Sequence, residues 1–175
     1  MENIAPKEER KSILLVDDTP ANLHLLTKIL TTHDYQVRAT VTGDMALTTV
    51  KSAPPDLILL DIFMPNMNGY EVCQHLKADE LTKDIPIIFI SAVGEVVDKI
   101  KAFEVGGVDY ITKPFHVAEL LAKVKTYLTI NHLKQQIKIK DNLLNQEREA
   151  REKLEVALAE ANHKLAQISL KIEEN

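Results

Sequence analysis

The sequence predicts an α/β protein: a doubly wound, five-stranded parallel sheet built from five βα units, followed by a long C-terminal α-helical extension. Three observations predict it. Continuous apolar runs at Ile13–Val16, Leu57–Leu60 and Ile87–Ile90 have the two-sided hydrophobicity of strands covered by helices on both faces. The stretches between them carry apolar residues at helical spacing. All five Gly and all seven Pro of the 175 residues fall at or before Pro114, which leaves 61 residues without a breaker. A compact fold would need turns in that stretch, so it reads as one long helix.

The elements follow in order. Ile13–Val16 is the first strand and ends in Asp17-Asp18; Pro20, tolerated in a first helical turn, opens a helix marked by Leu23, Leu26, Ile29 and Leu30. Gln36–Thr40 is a short β-branched strand, and a helix from Met45 stops at Pro54-Pro55. Leu57–Leu60 ends in Asp61, and the turn-rich loop Met64–Gly69 leads into a helix over Tyr70–Ala78. Ile87–Ile90 ends in Ser91, and a helix from Glu95 to Val105 stops at Gly106-Gly107. A last strand at Asp109–Thr112 precedes Lys113-Pro114 and a helix starting near His116.

Composition limits the function. Residues 1–130 hold 18 acids against 13 bases, and no Lys/Arg block occurs, so no direct nucleic-acid binding is expected. The apolar runs are far shorter than the roughly 18 residues of a membrane span, and the charged start lacks a signal-peptide core. Cys73 is alone, which rules out an internal disulfide and suits a reducing cytoplasm. It reads as a small packed residue.

In an open parallel sheet, ligands bind beyond the carboxyl ends of the strands. Asp17, Asp18, Asp61, Ser91 and Lys113 all fall there. Any one alone reads equally well as a helix cap, but capping does not explain a Lys beside a Pro or an acid pair near a third acid. Three neighbouring carboxylates repel unless a cation sits among them. Mg²⁺, which keeps waters and takes phosphate oxygens, is the natural occupant. Lys113 then supplies a point charge and Ser91 a hydroxyl donor for a phosphate. Asp61, at the end of the central strand, is the best nucleophile candidate.

The motifs Leu15–Asp18, Leu60–Gly69, Ile90-Ser91-Ala92 and Tyr110–Phe115, in this order and spacing, resemble the receiver domain of bacterial response regulators over about residues 12–130. The resemblance implies a flavodoxin-like sheet. It also implies that Asp61 accepts a phosphoryl group from a sensor histidine kinase or phosphotransfer protein. Asp18, Asp61 and the backbone carbonyl of Phe63 would hold Mg²⁺, with Asp17 reaching it through water. Ser91 and Lys113 would bind the phosphoryl oxygens, and small Ala92 would leave that approach open. Tyr110 would turn into the space that Ser91 vacates, rearranging the face of the fourth helix, fifth strand and fifth helix. The family usually has a cis bond at the position of Lys113-Pro114. Phe63 and Val93, at positions that tune dephosphorylation, are both apolar and offer nothing to align water, so a long-lived phosphoryl state is expected.

The domain organisation expected is a flexible N-terminus over 1–11, a receiver domain over 12–130, and a coiled-coil helix over 131–175 continuous with the fifth receiver helix. Steps of four and three from Leu133 give Leu133, Ile137, Lys140, Leu144, Glu147, Arg151, Leu154, Leu158, Ala161, Leu165, Ile168 and Ile172, mostly apolar. Such a stripe calls for a partner helix. Charged seam positions cluster over 140–151, where Ile139, Leu143 and Ala150 offer a competing phase. The expectation is a homodimer that relays the signal to an output domain or effector outside this chain, since no DNA-binding, cyclase or kinase motif follows. A phosphatase of haloacid-dehalogenase type is the alternative, although Asp17-Asp18-Thr19 lacks its D-x-D pattern.

Overall fold

The computed structural model describes residues 10–92 and 99–173. The expected flexible segment 1–11 lies largely outside them, as does Val93 and the expected start of the fourth helix. The order is β1 (Ser12–Val16), α1 (Pro20–Thr32), β2 (Gln36–Thr40), α2 (Gly43–Ser52), β3 (Leu57–Asp61), α3 (Gly69–Ala78), β4 (Ile87–Ala92), α4 (Lys99–Glu104), β5 (Asp109–Lys113) and α5 (Val117–Glu173). The strands form one parallel sheet in the order β2-β1-β3-β4-β5. This is the flavodoxin-like order, with its topological switch point between β1 and β3.

Alternation along each strand divides the core into two layers. Leu14, Val16, Ile58, Leu60, Ile87 and Phe89 face α2, α3 and α4 through Ala46, Val50, Val72, Leu76 and Ala102. Ile13, Leu15, Leu57, Leu59, Ile88 and Ile90 face α1 and α5 through Leu23, Leu26, Leu30, Leu120, Val124 and Leu128. The central strand β3 is buried along its whole length, whereas edge strand β2 is buried only at Thr40. Each fully buried Leu or Ile contributes about 1.5–3 kcal/mol, so β3 is among the most firmly held places in the fold on which to hang a reactive group. Cys73 sits in the core as expected; its Sγ lies 3.3 Å from the Val105 carbonyl, and burial pushes the thiol up to about 11 despite nearby Lys77.

Local signals set the helix starts. α1 begins with Pro20. α3 begins one residue earlier than its apolar spacing implies, because Asn68 and Glu71 form a reciprocal capping box: Asn68 Oδ1 accepts from the Glu71 amide at 3.0 Å, and Glu71 accepts from the Asn68 amide at 2.8 Å. Gly106 has φ +100°, the left-handed region that glycine tolerates, and it ends the α4 segment.

The loop after β3 is fixed by Gly69, whose amide donates to the Ile62 carbonyl at 2.8 Å. A Cβ there would collide with the Asp61 carbonyl oxygen and lie 2.9 Å from Ile62 Cα. Both obstacles are backbone of the strand end that carries the proposed acceptor. Gly69→Ala is therefore expected to destabilise the fold by about 2–3 kcal/mol, read as a lowered urea midpoint at unchanged slope.

The contacts of the chain divide it between His132 and Leu133. Within the first unit, Asn131 is buried and its Nδ2 donates to the Asp56 carbonyl at 3.3 Å. In the second, every residue from Leu133 to Gln167 is exposed. None of the described helices is long and apolar enough to cross a membrane.

Candidate functional site

Because all five strands run in parallel, their carboxyl ends share one edge. Asp61 ends β3, Lys113 ends β5, Ser91 lies one residue from the end of β4, and Asp17-Asp18 follow β1. The register places Val16 beside Leu60, Asp61 beside Ile90, and Lys113 beside Ala92. Residues 52 and 96 positions apart in sequence are thus brought into hydrogen-bonding distance.

Lys113 Nζ lies 2.6 Å from Asp17 Oδ2 and 2.9 Å from Asp61 Oδ1. Burial works against its charge, but the two carboxylates outweigh that and hold its pKa above the ordinary lysine value. The acids are treated unequally. Asp17, almost fully buried, also accepts from the Thr19 amide at 2.8 Å and from Asn22 Nδ2 at 3.0 Å to each oxygen. Asp61 takes only the Lys113 bond among the described residues, and its Oδ2 takes none. Desolvation therefore dominates at Asp61: burial first, then the fields of Asp17 and Asp18, raise its pKa from 3.8 to about 6 against the pull of Lys113. Asp61 thus keeps an oxygen that no described side chain holds, whereas both oxygens of Asp17 are taken.

Ser91 is 1% exposed, and among the described residues its Oγ has no hydrogen-bond partner. A buried hydroxyl left without a partner costs about 1–3 kcal/mol, a cost that an acceptor placed beside it would remove. Thr40 Oγ1, at the end of β2 beside Asp17, is in the same condition. Asp18 lies on the solvent side, where Thr19 Oγ1 donates to it at 3.3 Å. Phe63 is 43% exposed. Tyr110 is partly buried and packs edge-on against Phe103, with centroids 6.3 Å apart, and Lys123 Nζ lies 5.9 Å from its ring centroid. The Lys113-Pro114 bond is cis.

The expected cluster is thus assembled in part. Asp17, Asp61 and Lys113 meet directly; Asp18 acts on Asp61 through its field while facing water. Among the described residues, no three His, Cys, Asp or Glu side chains close around one point as a metal cage. The positive charge between Asp17 and Asp61 is the Lys113 ammonium. Sequence reasoning missed Asn22, which clamps both Asp17 oxygens from the first turn of α1. The signal was available, since Asn22 is the third residue of a helix whose start Pro20 marks.

Receiver domains of response regulators are what this arrangement matches. Their family model covers residues 13–125. The chain belongs to that family. As a response regulator receiver, it is 42% identical over 116 residues to RpaA of Synechocystis sp., a DNA-binding dual master transcriptional regulator, covering 66% of this chain and 48% of RpaA. It is 40% identical over 127 residues to the response regulator PleD of Caulobacter vibrioides, covering 70% of this chain and 28% of PleD. The chain therefore spans about half the length of one relative and less of the other. The crystal structure of the receiver domain of a signal transduction histidine kinase from Syntrophus aciditrophicus superposes with TM-score 0.64 at 34% identity, over 68% of this chain and 90% of that one. Nothing in these matches supports the haloacid-dehalogenase alternative.

The donors at this edge suit a hard cation. They are all oxygens, Asp61 keeps one uncommitted, and exposed Asp18 leaves room for waters. Mg²⁺ characteristically takes one or two carboxylates and keeps the rest of its shell as water and phosphate oxygens.

The raised pKa fixes the sign of a stability effect. The folded state holds the Asp61 proton more tightly than the unfolded chain does, so stability falls as pH rises from about 4 to about 6 and carries a constant penalty above that range. Asp61→Asn is expected to add about 2 kcal/mol at neutral pH without divalent metal and to flatten that decline. Urea melts across pH check it, and a destabilised Asn variant would mean that the Lys113 attraction outweighs burial.

Proposed function

We propose that the chain is a phosphorylation-controlled signalling module of a two-component system, with Asp61 as acceptor for a phosphoryl group from the phosphohistidine of a sensor histidine kinase or phosphotransfer protein. The observation that supports this best is the buried, partnerless Ser91 hydroxyl at the strand end next to the one whose Asp61 keeps an uncommitted oxygen.

Asp61 Oδ2 attacks phosphorus, the P–N bond to the donor imidazole breaks, and that imidazole keeps the electron pair and takes up a proton. Lys113 Nζ, already held at Asp61 Oδ1, balances the added charge on the phosphoryl oxygens. Ser91 Oγ gains the acceptor it lacks. Asp17, saturated by Thr19, Asn22 and Lys113, keeps the ammonium in place and does not compete as nucleophile. Asp18, Asp61 and the Phe63 carbonyl would hold Mg²⁺, with Asp17 reaching it through water; the ion supplies charge neutralisation for the transferring group.

The Ser91 shift opens space for Tyr110, whose movement changes the face formed by α4, β5 and α5. That change passes along α5 to a homodimeric coiled coil, and from it to an output domain or effector. RpaA carries DNA-binding function in its name; the charge balance of this chain argues against nucleic-acid binding by these residues themselves.

Incubation with acetyl phosphate and Mg²⁺ is expected to add one phosphoryl group at Asp61, seen by intact-protein and peptide mass spectrometry. Asp61→Asn should remove the label, and Ser91→Ala and Lys113→Ala should each slow its formation tenfold or more. With apolar Phe63 two residues past the acceptor, the label should persist for minutes after the donor is removed. Rapid turnover of phosphomonoesters with no trapped label would overturn the reading, and loss within seconds would overturn the slow-decay part of it.

A further inference from the structure

We propose that the C-terminal helices of two copies pair antiparallel, centred on Glu149, and not parallel and in register. This rests on the homodimer proposed above and concerns its geometry. Leu133, Ile137, Leu144, Leu154, Leu158 and Leu165 lie on the heptad seam of α5, and each is more than half exposed in the single chain. The seam therefore offers an apolar surface at both ends, Leu133–Ile137 and Leu154–Leu165, with Leu144 between them. The choice of occupant and direction comes from the three charges interrupting it, Lys140, Glu147 and Arg151.

In a parallel, in-register pair each seam residue faces its own copy. Lys140 would meet the partner's Lys140, Glu147 the partner's Glu147, and Arg151 the partner's Arg151, three like-charged layers within four consecutive layers. Desolvated like charges are strongly unfavourable. The flanking positions give no relief: the pairs that a parallel arrangement brings together, from Gln136–Asp141 through Ala150–Glu155 to Lys164–Ser169, contain none of opposite charge.

In an antiparallel pair, positions whose numbers are symmetric about 149 share a layer. Glu147 then faces the partner's Arg151, and by the two-fold axis Arg151 faces the partner's Glu147. Leu144 meets the partner's Leu154, Ile137 the partner's Ala161, and Leu133 the partner's Leu165. Lys140 lies over the partner's Leu158, where its aliphatic stem covers the Leu while its ammonium reaches water. Shifting the register one heptad either way sets Lys140 against the partner's Arg151, or all three charges against apolar residues. One register alone pairs the opposite charges of the seam; it also sets Arg148 beside the partner's Arg148 and Asp141 beside the partner's Glu155, but at solvent-exposed flanks, where charge pairs are worth far less than in the seam. Within its own chain Arg151 Nε also reaches Glu155 Oε1 at 3.1 Å, and a guanidinium with five N–H donors serves both carboxylates.

Double electron–electron resonance on the full chain tests the direction. Gln135→Cys and Glu149→Cys each place a spin label on the exposed side of the helix, and buried Cys73 stays unlabelled, as wild-type protein will verify. The antiparallel register predicts a short 149–149 distance and a 135–135 distance lengthened by an axial offset of about 42 Å, from the rise per residue. Equal short distances at both sites would mean parallel pairing and overturn this proposal while leaving the homodimer standing. No dipolar coupling at either site would overturn the homodimer and this geometry together. As a second measurement, Glu147→Arg should weaken self-association at least tenfold, and adding Arg151→Glu should restore it. Failure of the double variant to recover counts against the antiparallel register.

Discussion

The contact on which the site depends is the Lys113 ammonium held between Asp17 and Asp61. It joins the ends of β5, β1 and β3, which are adjacent in neither sequence nor, for β5, in the sheet. Only a parallel sheet with β3 and β4 inserted between β1 and β5 brings these three ends to one edge at this spacing. A one-residue slip in any of those strands would turn its terminal side chain to the opposite face. Continuous burial of β3 and the two-layer core prevent that slip, so the ordinary packing of Leu and Ile residues is what aims the acceptor.

The same edge holds groups that the fold treats poorly. Asp61 is pushed toward neutrality by burial, and Ser91 and Thr40 have buried hydroxyls without partners among the described residues. Native proteins leave few such groups, and each calls for an explanation. The proposed function supplies an explanation: a carboxylate with a free oxygen and a waiting hydroxyl donor would both gain when a phosphoryl group arrives. The capping box at Asn68 and Glu71 and the close approach of Gly69 to the Asp61 carbonyl hold the strand end rigid under that strain.

The helical extension follows a different logic. Its residues from Leu133 to Gln167 are exposed, and its helix is supported by local propensity and by weak i,i+4 pairs such as Arg148–Glu152 and Arg151–Glu155. In the proposed dimer, the apolar seam obtains its stabilisation from the partner helix. In that proposed pairing, the charges within the seam would weaken every arrangement except those that match them, setting direction and register at the expense of strength.

The amino-acid sequence by itself determined the sheet, the helices and which polar residues close the strands. Each of these is written in local pattern: continuous apolar runs for buried strands, Pro20 and the Gly106-Gly107 pair for element ends, and an acid, hydroxyl or Lys at the close of four strands. The unbroken stretch after Pro114 likewise read directly as a helix, since a helix is a local structure. Tertiary structure decided which of those residues touch and how burial acts on Asp61 and Lys113. That Lys113 sits between Asp17 and Asp61, that Asn22 clamps Asp17, that Asp18 faces water, and that Asp61 rather than Asp17 is left short of donors are facts about distances between chain segments up to 96 residues apart. Burial and electrostatic fields depend on the whole packed assembly, and no local pattern encodes them.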